Sequence, residues 1–175
     1  MANLIPISTV TVGSGGVSAI DFTGIPQIYT DLVVRLSIRN TSTLSTNQIY
    51  VQPNSATTNL SSRLLFGTGS AAGASTYSSA SSFWGYCSGN GSTSNTFGNA
   101  EFYFPNYADS NYKSVNVDCV NETNAAEARQ SLLAGLWSNT NPITSLKFLT
   151  QENSTGDPKT FVQHSTATLY GIRKY

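Results

Sequence analysis

The chain has 175 residues, of which only 10% are charged, with 9 basic and 9 acidic residues and a formal net charge of zero; soluble domains average about 25% charged. The cations, Arg35, Arg39, Arg63, Lys113, Arg129, Lys147, Lys159, Arg173 and Lys174, are scattered, so no basic stripe exists to displace counterions from a phosphate backbone and nucleic acid is not expected as a partner. No apolar run approaches the roughly 20 residues of a membrane-spanning helix, and Met1 to Val12 lacks the cationic and apolar regions of a signal peptide, so no membrane insertion and a cytoplasmic origin are expected.

Ser, Thr, Asn and Gly take the place of the missing charges. With 9 Tyr, 8 Phe and 2 Trp the composition is that of a folded chain rather than a disordered one. A chain of this length buries about 70% of its unfolded surface, enough for a single domain over residues 1–175 that needs no metal or disulfide.

Short apolar segments broken by Gly, Pro, Asn and Ser recur every ten or so residues, the spacing of a β-sandwich or barrel. Ile7 to Val12 and Val17 to Phe22 flank Gly13-Ser14-Gly15-Gly16, which predicts a hairpin. Ile25-Pro26 then interrupts pairing. Asp31 to Arg39 alternates, with Leu32, Val34, Leu36 and Ile38 on one face and Arg35, Ser37 and Arg39 on the other, the pattern of a half-buried strand. Gln48 to Gln52 and Ser62 to Phe66 are shorter candidates, and Gly67 to Ser75 reads as a small-residue loop. Tyr77 to Cys87 and Phe97 to Phe104 are aromatic-rich strands, and Tyr112 to Cys119 alternates through Val115, Val117 and Cys119. Asn124 to Trp137 has a capping-box spacing between Asn124 and Glu127, but Gly135 in its apolar part favours a strand over Arg129 to Trp137. Ile143 to Leu149 and Phe161 to Ile172 complete about ten strands. The expected fold is all-β, a two-sheet antiparallel sandwich with jelly-roll-like connections.

Catalytic constellations are sparse. The one histidine, His164, falls inside the last predicted strand with no G-x-S-x-G elbow to supply a nucleophile. Two cysteines and one histidine far apart fit no zinc spacing. Glu152, Asn153 and Asp157 form the nearest approach to a calcium loop and read as a polar turn. Two carboxylates distant in sequence can still meet in space for glycoside hydrolysis; the candidates are Asp21, Asp31, Glu101, Asp118 and Glu122, whose default role is solvated. Gly67-Thr68-Gly69-Ser70 with Gly73 lacks the ending of a phosphate loop. The sequons at Asn40, Asn59, Asn90, Asn121 and Asn153 follow from an Asn-, Ser- and Thr-rich composition. Neither catalytic residues, metal nor cofactor are expected. Cys87 and Cys119 suit a reducing cytoplasm as free buried thiols, while a disulfide between them stays open if their strands are neighbours. Tyr77, Phe83, Trp84 and Tyr86 cluster beside Ser- and Gly-rich sequence, as core, as a sugar-stacking platform or as a subunit interface.

Four places carry a resemblance. They are Phe22-Thr-Gly-Ile-Pro-Gln-Ile-Tyr-Thr-Asp-Leu32; Thr96-Phe-Gly98 with Phe104-Pro-Asn-Tyr107; Ala134-Gly-Leu-Trp137 with Ile143-Thr-Ser-Leu146; and Ser165-Thr-Ala-Thr-Leu-Tyr-Gly-Ile172. Together they resemble a family of small β-sandwich virion structural proteins and tail-fibre modules of tailed phages, cyanophages in particular. The resemblance implies a non-enzymatic virion protein on the exterior of head or tail, with other virion proteins and further copies of itself as partners. A capsid decoration or cement role is expected first. A tail or tail-fibre receptor-binding protein, trimeric and holding a host surface glycan, is the alternative. A self-assembling jelly-roll capsid subunit ranks last, because Met1 to Gly16 carries no Lys or Arg for genome binding. The first predicted strand lies so near Met1, and the last so near the C-terminus, that no docking segment or shaft is expected.

Overall fold

The computed structural model describes residues 3–123 and 127–173, and within them every regular element is a β-strand. The strands are β1 (Asn3–Thr11), β2 (Ala19–Phe22), β3 (Asp31–Asn40), β4 (Thr46–Pro53), β5 (Leu60–Gly67), β6 (Ala72–Ala80) and β7 (Phe83–Gly89). Then follow β8 (Gly98–Phe104), β9 (Lys113–Asn121), β10 (Arg129–Trp137), β11 (Leu146–Gln151), β12 (Pro158–Lys159) and β13 (Thr166–Arg173). The reading of Arg129 to Trp137 as a strand is met by β10, while the helical alternative's cap at Asn124 lies outside the described residues.

Hydrogen bonding links all of these strands into one large mixed sheet. One run, wholly antiparallel, has the order β1-β13-β3-β8-β9-β10-β5-β6. A second run places β11 between β4 and the short strands β2 and β12, with β7 on the far side of β4. The runs join where the end of β3 meets the end of β7 in parallel, Arg39 beside Ser88 and Asn40 beside Gly89. Strand β7 also packs across β8, β9 and β10 without joining their ladders.

Alternation explains which side chains enter the core. β9 buries Val115, Val117 and Cys119 and exposes the residues between, and β8 buries Ala100, Phe102 and Phe104. β7 is buried along its whole length, as a strand covered on both faces must be. Space for it comes from glycine. A Cβ at Gly135 of β10 would stand 2.5 Å from the Phe83 ring, and one at Gly85 would stand 2.1 Å from the Cys119 sulfur.

Several expectations are corrected. The Gly13 to Gly16 turn is present, with Gly16 N–H donating to Gly13 O at 3.1 Å, but its flanks do not pair with each other. β1 pairs with β13 and β2 with β11, so the turn carries the chain from one run to the other. Gly67 to Ser75 is not a loop throughout: it holds the tip of the β5–β6 hairpin and the start of β6. Tyr77 to Cys87 is two strands, because the chain turns at Ser81 and Ser82. His164 precedes β13 and sits in a turn with φ of 71°, its N–H donating to Val12 O at 3.0 Å. Arg39, expected on a solvated face, is buried.

Candidate functional site

The face of β4 that points away from Ile49 and Val51 carries Gln48, Tyr50 and Gln52, one every second residue. Register extends this face sideways. Leu149 of β11, Tyr50 of β4 and Trp84 of β7 form one cross-strand row, and Gln151, Gln48 and Tyr86 form the next. An aromatic row and an amide row thus make the floor of an open groove of about 520 Å³. Tyr77 and Ser79 of β6 stand along it, as do Ser18 and the β12 residues Pro158 and Lys159.

The floor is ordered by its own bonds. The Tyr50 hydroxyl donates to Gln48 Oε1, Gln151 Nε2 bonds to the Tyr50 hydroxyl, and Gln151 Nε2 also donates to Gln48 Oε1 at 3.2 Å. Gln52 Nε2 donates to Ser81 O at 3.2 Å. Burial pushes the Tyr50 phenol well above its ordinary pKa, so it stays a neutral donor. Trp84 is clamped edge-on between Tyr77 and Tyr86, each centroid 5.4 Å from its own. Arg129 then lies over the Tyr86 ring at 4.6 Å and donates to its hydroxyl at 2.6 Å. Lys159, the one charged residue lining the groove among the described residues, meets Glu152 at 3.2 Å.

The four aromatics singled out in the sequence divide by role. Phe83 is fully buried and faces the opposite way, onto Gly135. Tyr86 is buried beneath Arg129, Trp84 lines the groove at 6% exposure, and Tyr77 is 37% exposed on its rim. Tyr50, Gln48, Gln52 and Gln151 were missed. The period-two polar phase of Gln48-Ile-Tyr-Val-Gln52 was the available signal, but nothing local ties it to β7 or β11.

The other candidates do not converge on a site. Glu101 faces Asp118 across the β8–β9 ladder, and its carboxylate is held by Arg35 at 2.8 Å on the outer face. Asp31 accepts from the Tyr103 hydroxyl at 3.0 Å and from Asn106 N–H at 2.9 Å. Glu152 accepts from the Ser42 hydroxyl at 2.8 Å, and that bond together with Lys159 holds its carboxyl below the ordinary range. Among the described residues no three His, Cys, Asp or Glu side chains gather closely enough to hold a metal ion.

Cys87 and Cys119 are buried free thiols on the facing strands β7 and β9, and burial pushes both up to about 12. Burial raises the Tyr50, Tyr86, Tyr103 and Tyr107 phenols too. A raised folded-state pKa contributes stability below the unfolded pKa and loses it as pH climbs toward the folded value. Stability is therefore expected to fall from about pH 9 upward, read as a declining urea midpoint. Under native conditions at neutral pH an aromatic disulfide reagent should label neither thiol, and in denaturant both. Rapid native labelling would contradict the buried placement.

The outer side of the longer run differs in character. Leu65 of β5 and Leu132 of β10 are directly opposed and 61% and 48% exposed, with Val120 of β9 nearby at 39%. Among the described residues β6 pairs only with β5, leaving its second edge open, and Ala72–Ala80 contains neither charge nor proline. β1 at the opposite end carries Pro6 and a register shift between Pro6 and Ser8. Proline and bulges blunt an edge against further pairing; a neutral regular edge does not. No protein-family model matches the sequence, and no curated protein matches it. Fold and surface define a class: an all-β module with an exposed leucine pair on its outer face, an unblunted edge at β6 and an aromatic–amide groove.

Proposed function

We propose that this chain is a non-enzymatic structural module on the exterior of a tailed-phage particle, a decoration or cement protein seated on the head. The observation that carries this reading is the exposed Leu65–Leu132 pair with Val120, lying beside the open edge of β6. Such a surface fits burial against neighbouring virion subunits and further copies of the chain. A formal net charge of zero keeps mutual repulsion among packed copies weak. Interfaces of about 1,600 Å² repeated by symmetry would brace the head against internal pressure.

The same reading takes the mixed sheet as folded over into a two-layer, jelly-roll-like sandwich. The packing of β7 across β8, β9 and β10 supports the two layers. The chain's repeated passage between the runs, at β1 to β2, β2 to β3, β3 to β4, β4 to β5, β6 to β7, β7 to β8, β10 to β11 and β12 to β13, supports the connections. Placement in the tail or a tail fibre is the second reading, and the groove favours it.

Particles assembled without this protein should lose resistance to heat and osmotic shock, and purified chain added back should restore it. A Leu65→Thr/Leu132→Thr double variant should nearly keep its melting temperature, since both side chains are about half exposed and threonine suits opposed strand positions, yet fail to coat the particle. Equal resistance with and without the protein would sink the cement reading. Antibody label confined to the tail would move the chain there.

A further inference from the structure

We infer that the groove over β4, β7 and β11 is a binding site for a neutral saccharide, taken as a short stretch of an oligosaccharide chain. This goes beyond the assembly reading and does not require it, because the groove lies on different strands from the Leu65–Leu132 face. The groove offers the two kinds of contact that a sugar ring needs. Pyranose rings present apolar C–H faces, which pack on aromatic rings, and equatorial hydroxyls, which both donate and accept. Tyr77 and Tyr50 supply ring surface, with Trp84 packed edge-on against Tyr77 at 6% exposure, and Gln48, Gln52 and Gln151 supply amides.

The amides are positioned rather than loose. Gln48 and Gln151 are locked through the Tyr50 hydroxyl, and Gln52 is tied to Ser81 O. The Nε2 of Gln48 and the Oε1 atoms of Gln151 and Gln52 take no part in those bonds. One donor and two acceptors are thereby held at fixed spacing on a rigid sheet, which lowers the ordering cost of binding. Charge decides the class of sugar. Among the described residues no carboxylate lines the groove, and the one cation that does, Lys159, is already paired with Glu152 at 3.2 Å. A sialylated or uronic-acid chain would find no unpaired cation there, whereas a neutral chain loses no charge solvation on entry. The open form of the groove suits a segment within a chain.

The test uses the whole purified protein, with cellohexaose, maltohexaose and mannohexaose as neutral probes and sialyl and polygalacturonate oligomers as charged controls. Binding is read by calorimetry and by tryptophan emission, since Trp84 lies in the groove and the other tryptophan, Trp137, is buried elsewhere. At least one neutral hexasaccharide should bind by about 5 mM. Tyr77→Ala and Gln52→Ala should each weaken it about tenfold; Gln52→Ala should leave the melting temperature nearly unchanged, as Gln52 lies outside the core, while Tyr77→Ala should lower it by only a few degrees through loss of the edge-on contact with Trp84. Absence of binding by all three neutral probes, equal binding of the charged oligomers, or affinities indifferent to both substitutions would each overturn the assignment. None of these results bears on whether the chain coats a phage head, so the two readings fail separately.

Discussion

Replacing Arg39 by Ala should cost about 3 kcal/mol of stability and lower the melting temperature by roughly 10 °C. The guanidinium is buried at the end of β3 and uses all five of its N–H groups. Nε donates to Asn90 Oδ1 at 3.1 Å; Nη1 donates to Thr93 O and Thr96 O, both at 2.9 Å; Nη2 donates to Asn90 O at 3.2 Å and Ser92 O at 3.1 Å. The segment between β7 and β8 is thus wrapped around one cation, and its carbonyls turn inward to meet it. Truncation leaves those acceptors facing an apolar gap. Arg39→Lys keeps the charge but has only three donors and no planar fork, so it should recover less than half of the loss. Urea unfolding with hydrogen exchange across 89–97 checks both: the loop amides should exchange much faster in either variant. A loss under 1 kcal/mol for Arg39→Ala would show that the backbone bonds from Gly89 to Ser45 O and from Asn90 to Ser42 O hold the loop unaided.

Arg39 also shows where sequence reading stops. Strict alternation on β3 assigns it to the same side as Arg35 and Ser37, and Arg35 is indeed exposed and paired with Glu101. What covers Arg39 arrives from some 50 residues away, and no local pattern records that. Strands with one apolar phase, such as β8 and β9, were legible because burial of one face leaves a period-two trace. β10 was legible as a strand but not in orientation. Its outward set, Leu132, Ala134 and Leu136, is as apolar as its inward set of Ser131, Leu133, Gly135 and Trp137. β6 escaped notice in its first half because both of its faces are largely solvated and its residues small. The hairpin read from Gly13 to Gly16 failed for a related reason. A turn signal specifies reversal of the chain, not its pairing partner, and β13 and β11 won the competition for β1 and β2.

The segments on which the proposed phage assignment draws meet largely at one end of the molecule. Ile25 N–H donates to Thr144 O, Ile143 N–H to Tyr107 O, the Tyr107 hydroxyl to Pro26 O, and Gln27 Nε2 to Ile143 O at 3.0 Å. Gly171 lies flat beneath the Tyr29 ring, where a Cβ would come within 2.3 Å. These residues close off one end of the core, so what they encode is packing. The groove draws on none of them. Its aromatics were visible as a cluster, but its amides belong to β4 and β11, and only strand register joins them to Trp84.

The second large effect is expected at Gly135, and it tests the packing of β7 on β10. Phe83 is fully buried with its ring on Gly135, and a Cβ there would stand 2.5 Å from two ring carbons. Alanine normally improves a strand by about 0.5–1 kcal/mol through lower chain entropy. Here the ring must move, yet Phe83 is enclosed on all sides, and overpacking of this kind costs about 1–3 kcal/mol. Gly135→Ala should therefore destabilise by about 2 kcal/mol. Phe83→Ala should cost about 4 kcal/mol through the cavity it leaves. The double variant discriminates between contact and coincidence. Once the ring is gone, the added methyl enters the vacated space and the strand propensity of alanine reappears, so the pair should cost at least about 1 kcal/mol less than the sum of the singles. Urea midpoints of the four proteins close this cycle. Strict additivity would mean that the methyl at 135 is accommodated by a shift of β10 away from β7, and the close approach of these strands would not be what selects glycine there.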